Sequence, residues 1–154
     1  MNLPLRFLLP LIPVLMLLGC KHSIHKALLK CGPVVELVGT IQNETFPGPP
    51  NYADIRKGDE SEQYWILKLR KPIDVAEDPD FPVPDENSPQ LNVHDLQLNL
   101  DVHLNANYRA YTKFLNKTVV VTGELAQGFT VHHKTAVLIY VRDIKLADKS
   151  PSQN

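Results

Sequence analysis

Period-two alternation of apolar and polar residues dominates the second half of the chain and recurs near its start. Residues 34–41, "VVELVGTI", set Val35, Leu37, Gly39 and Ile41 on one side, which predicts a first strand. Gly39 inside that pattern predicts a bulge or sharp bend. Residues 64–73, "YWILKLRKPI", predict a second strand, with Trp65, Leu67 and Leu69 inward and Lys68 and Arg70 outward. Pro72, lacking an N–H, ends that strand or puts it at an edge. Residues 92–104 alternate over the longest run. Leu96, Leu98, Leu100, Val102 and Leu104 share one face, and Asp95, Gln97, Asn99, Asp101 and His103 share the other. A strand with one wet face suits an antiparallel sheet.

The period then changes. In residues 105–115, Tyr108, Tyr111 and Leu115 fall on one side of a helix. Asn105 or Asn107 can cap its start, and Asn116 can take the left-handed turn at its end. Residues 117–125 predict a fourth strand with Val119, Val121, Gly123 and Leu125 inward. Residues 135–146 predict a fifth, with Val137, Ile139 and Val141 inward. The order β-β-β-α-β-β predicts an all-β protein with one helix, an OB-fold-like five-stranded barrel. The alternative is a two-layer α+β antiparallel sheet. "LVGTI" and "VTGEL" echo each other, which is too little for a repeat architecture.

Two turn-rich stretches separate the early strands. Residues 42–63 are punctuated by Gly and Pro. Residues 74–90, "DVAEDPDFPVPDENSPQ", are acidic and proline-rich. They lack the glycine and closing glutamate of a calcium loop, so they are expected to form a solvated loop.

The first 19 residues read as a secretory leader: Arg6, an apolar run too short to span a bilayer, Pro10 and Pro13, and a small residue before Cys20. "LLGC", Leu17 to Cys20, resembles the lipobox of bacterial lipoproteins. The resemblance implies lipidation of Cys20 and an N-terminal lipid anchor in the membrane of a Gram-negative cell envelope. Lys21 after the cysteine favours the outer membrane, facing the periplasm. A lipidated Cys20 leaves Cys31 as a free thiol or a partner for another chain. His22, His25 and Cys31 lack tight metal-ligand spacing, so residues 20–33 are expected to be a tether. The domain is expected over 34–146, followed by a polar tail, 147–154. Arg6 is the one leader residue among 16 Lys and Arg, which leaves 15 against 17 Asp and Glu. This balance carries no basic footprint for nucleic acid.

In an OB-like arrangement, ligands meet the loops joining strands one to two and four to five. Those loops hold the least ordinary segments of the chain, "TFPGPPNYADIRKGDESEQ" and "GFTVHHKT". These segments resemble a family of small secreted bacterial proteins catalogued as domain of unknown function four-four-three-one. Its pattern is matched by Phe46, Gly48, Pro50, Asn51, Tyr52, Gly58, Asp59, Glu62, Leu67, Leu69 and Pro72. Further matches are Gly123, His132, His133 and Thr135. The resemblance implies a boundary near residues 34–144 and names no reaction. The chain departs from it where Ile73 and Asp74 follow Pro72 in place of a cysteine, and where Lys134 replaces a third histidine.

The candidate binding-loop residues are therefore Phe46, Gly48, Pro50, Asn51, Tyr52, Gly58, Asp59, His132, His133 and Thr135. Adjacent strand residues point to opposite faces, so His132 and His133 could share a zinc ion only within a loop, with further ligands from His94, His103 or Asp101. A hydrolase would need a positioned base, with His133 and Asp59 the available pair, but no serine lies in a nucleophile elbow. No cofactor is expected, zinc being the one possibility. The favoured reading is a non-enzymatic, lipid-anchored envelope binding module. It would engage a periplasmic protein, inhibitor- or immunity-like, through loops 42–63 and 126–135. The alternatives are a glycan-binding module, a divalent-metal-binding protein using His132 and His133, and a purely structural envelope protein.

Overall fold

A computed structural model describes residues 28–82, 87–104 and 108–148. Six strands follow in order: β1 (Leu28–Leu29), β2 (Val34–Pro47), β3 (Ser61–Val75), β4 (Gln90–Asn99), β5 (Thr118–Gln127) and β6 (Val137–Leu146). Between β4 and β5 lie two short helical segments, α1 (Asp101–Leu104) and α2 (Tyr108–Tyr111), and a 3-10 turn at Thr112–Phe114. β2 pairs with β3 and β5, β5 with β6, β6 with β4, and β4 with β3, so the ladder closes into a ring of five strands. Within the ring only β4 and β6 run parallel. Closure leaves the ring no open edge, the usual remedy for unpaired strand N–H and C=O groups. The flat two-layer alternative is not adopted.

Long strands make this closure possible. β2 does not end at Ile41 as the pattern suggested but continues to Pro47. Its first half pairs with β5 as far as Thr40↔Thr118, and its second half with β3 from Gly39↔Leu69. Gly39 sits at the changeover, where an added Cβ would lie 2.4 Å from the Lys68 carbonyl oxygen. Gly123 does the same for β5, at a register shift against β6 and 2.3 Å from the Tyr140 oxygen. The echo of "LVGTI" and "VTGEL" thus marks two places where a neighbouring backbone comes too close for any side chain. Pro72 falls in a register shift of the β3–β4 ladder, between Lys68 and Ile73, and β3 runs on to Val75.

The inward positions hold as expected. Leu37, Ile41, Trp65, Leu67, Leu96, Leu98, Leu100, Val119, Val121, Leu125, Val137, Ile139 and Val141 are buried in one cluster. Each fully buried aliphatic side chain contributes about 1.5–3 kcal/mol. Tyr108, Tyr111 and Leu115 pack against this cluster. Asn116 takes φ 58° and donates its N–H to Ile41 O at 2.8 Å.

Three expectations are corrected. The third strand stops at Asn99, not Leu104, because the Asn99 side chain accepts the Asp101 N–H and starts α1. The helix therefore begins earlier than residue 105; the candidate caps Asn105 and Asn107 lie outside the described residues. The acidic stretch is not simply solvated. Asp78 is buried and accepts the backbone N–H groups of Asp80 and Gln127, both at 3.1 Å. Gln127 in turn donates to Ala76 O and Ser88 O. The segment expected as a tether is, from Leu28 onward, part of the domain. β1 pairs with Asp74 and Val75 of β3, and Cys31 is buried in the core cluster. Cys20 lies outside the described residues.

Candidate functional site

The candidate residues gather at one end of the ring, on the β2–β3 turn and the β5–β6 loop. The β2–β3 turn is tied at its neck by Gly48 N–H to Glu60 O (2.8 Å) and Glu60 N–H to Pro49 O (2.7 Å). The Pro49–Pro50 peptide is cis, Tyr52 has φ 56°, and Gly58 has φ 103° as the cap of the 3-10 turn Ile55–Lys57. Asp59 holds the interior. One carboxylate oxygen accepts from the Asn51 backbone and side chain, both at 3.0 Å. The other accepts from the Ala53 and Asp54 N–H groups, both at 2.8 Å. Those donors, the Asp54 and Ala53 N–H groups foremost, lower its pKa to about 2. Asp59 is thus an ionised scaffold for its own loop, with no lone pair aimed at a proton-transfer partner.

His133 does the same for the β5–β6 loop. Its Nδ1 accepts the Phe129 N–H at 2.9 Å and the Thr130 N–H at 3.4 Å, and its ring meets Phe129 edge-on. Burial, and then His132, lower its pKa from 6.5, which favours the neutral ring these bonds require. Thr135 accepts the Gln97 N–H at 2.8 Å and donates to Val137 O at 2.6 Å. Asp59 and His133 therefore each close their own loop, and among the described residues no contact joins them into an acid–base pair.

The two loops are joined by Lys134, the residue that replaces a third histidine. Its side chain is 7% exposed. The ammonium donates to Val131 O at 2.7 Å and to Pro47 O at 3.3 Å, and lies 3.7 Å from Glu62. It also lies about 5 Å from the ring centroids of both Tyr52 and Tyr64. Tyr64 donates to Glu62 at 2.9 Å, and burial, followed by this bond, pushes its pKa up to about 12. Phe46 meets Tyr64 edge-on, and His132 meets Tyr52 edge-on at 5.4 Å. Pro50 and His132 remain exposed.

Sequence reasoning missed Lys134, Glu62, Tyr64 and Gln97 as site-building residues. Gln97 was placed on a wet face, yet it is buried, and its side-chain oxygen accepts the Lys134 N–H at 2.7 Å. Ile66, Gln97 and Leu138 lie side by side in the β3–β4–β6 ladder, all buried. The β5–β6 loop reaches Gln97 on that face through Lys134 and Thr135. Lys134 carried a single signal, its place beside two histidines.

Among the described residues no three His, Cys, Asp or Glu side chains gather as a metal-ligand set. His94 is exposed on β4 and Asp101 stands in α1, while the side chain of His103 is not described. Among the described residues no helix is long and apolar enough to cross a membrane. No curated protein and no solved structure matches the chain. Residues 95–145, from within β4 to within β6, match the family model described as Domain of unknown function (DUF4431).

Proposed function

We propose that this protein is a non-enzymatic binding module, held in the cell envelope by a lipid on Cys20, that engages a periplasmic protein through the crown formed by its two loops. The observation that carries the reading is the combination of rigidity and apolar exposure at that crown. Asp59, His133 and Lys134 brace the loops from within. At the same time Phe129 and Val131 are 51% and 58% exposed, and Ile55 is exposed on the opposing loop. Pre-folded loops spare the ordering cost of association. Exposed aromatic and aliphatic side chains beside tyrosine and histidine suit a protein interface better than a polyhydroxyl ligand.

The test is site-specific photo-crosslinking in cells, with the crosslinker at Val131 and a control at exposed Lys117 on the far side of β5. One stoichiometric protein adduct from position 131 and none from 117 is expected. The purified partner should then bind V131D at least about tenfold more weakly than the parent, with melting unchanged. The absence of a position-specific adduct sinks the proposal. Cys20→Ser should lose palmitate labelling and leave the membrane fraction; retention of both would refute the anchor.

A further inference from the structure

Beside the crown, a groove of about 540 Å³ runs between β3, β4 and the helical segment. Its size falls within the range of small-molecule sites, about 300–1,000 Å³. The lining combines three kinds of group. Tyr64, Trp65 and Tyr108 border the groove; Trp65 is buried, its ring edge-to-face with Tyr108 at 5.2 Å, which leaves the half-buried Tyr64 and Tyr108 as the aromatic surface. Planar amides come from Asn43 on β2 and Asn99 on β4. Carboxylates come from Glu62 and Asp101.

Among the described residues no Lys or Arg lines the groove. The Lys134 ammonium, which reaches Glu62 of the lining at 3.7 Å, donates to the carbonyls of Val131 and Pro47. Glu62 is already paired with Lys134 at 3.7 Å, and an anionic ligand would meet the Asp101 carboxylate with no cation of the described lining beside it. A wholly apolar ligand would strand the amides and carboxylates without partners. A sugar ring satisfies both requirements: its hydroxyls both donate and accept, and its C–H face packs on aromatic rings.

We infer that this groove is a carbohydrate-binding site for an uncharged or cationic sugar of a few units. It adjoins the protein-binding crown, sharing Glu62, Tyr64 and Gln97 with it, and does not need the crown's exposed tip at Phe129 and Val131. Asn43 pairs with Trp65 in the β2–β3 ladder, and its exposed side chain has no hydrogen-bond partner among the described residues. Its amide is free to address a ligand hydroxyl. Asp101 is exposed at the start of α1 and can accept from another.

Trp65 is the only tryptophan in the chain, so intrinsic fluorescence reports directly on this groove. The full chain would be titrated with a neutral N-acetylhexosamine trimer, with maltotriose and with a trimer of galacturonic acid. Saturable change with at least one neutral trimer is expected. The anionic trimer should bind at least about tenfold more weakly, since tenfold corresponds to about 1.4 kcal/mol. N43A and D101N should each weaken binding at least about fivefold, while V131D leaves it unchanged. Three results would each overturn the inference: no saturation by any neutral trimer up to about 20 mM, equal binding of the anionic trimer, or N43A and D101N both binding like the parent. Loss of sugar binding in V131D would also count against it, by merging the groove with the crown.

Discussion

Asp59 and Lys134 show how residue identity and residue role come apart. Aspartate at a tight turn is expected to bond to nearby backbone, and the "GPPNY…GD" spacing places Asp59 to do so. Its four acceptor contacts need no distant element, so its role follows from local sequence. Its pKa is depressed to about 2, below the ordinary 3.8. The stabilisation from the ionised form is therefore complete above about pH 4 and lost as the pH falls through about 2. The Ala53 and Asp54 amide proton shifts should titrate together with a midpoint near 2. In D59N that transition should vanish, and both amides should exchange with solvent at least about tenfold faster. A midpoint at the ordinary carboxylate value would show that Asp59 does not hold the loop. Lys134 is different. A lysine in a polar loop reads as solvated, and its burial depends on Tyr52, Tyr64, Glu62 and Pro47, all at least 70 positions away.

At the scale of elements, alternation found all five long strands and placed their inward faces, because burial of one face imposes a period of two. It missed their ends. β2 outruns its apolar pattern because residues 42–47 are held by pairing with β3, from Gln42↔Ile66 to Pro47↔Ser61, not by burial of one face. The helical segment starts early because one Asn99 side chain outweighs the alternation that continues through residue 104. Gly39 was legible as a bend, but the close approach of the Lys68 carbonyl that requires it was not. Gly39→Ala should cost about 1–3 kcal/mol through overpacking and lower the melting temperature by about 5–10 °C. Thermal unfolding followed by circular dichroism within about 1 °C of the parent would mean that the ring can widen at this point.

For the whole molecule, closure of the ring decides what is inside. Cys31, placed in a tether by sequence, is buried next to Asp78 and the Ala76 carbonyl. Burial first, and then Asp78, push its thiol up to about 12, so it stays protonated and weakly nucleophilic. Cys31 should resist a soluble maleimide in the native protein and react only as denaturant unfolds the domain, with both transitions at the same midpoint. Fast labelling of the folded protein would show that residues 28–33 detach from the sheet. The sequence by itself determined the mostly β class, the order of elements, the inward faces and the two loops that meet, since each follows from local pattern and turn chemistry. Only the tertiary structure decided that Lys134 locks those loops, that Gln97, Asp78 and Cys31 are buried, and that a groove of aromatic rings, amides and carboxylates opens beside the crown. Those features arise from groups far apart in the chain, and no local period records which distant side chains the closing ring brings together.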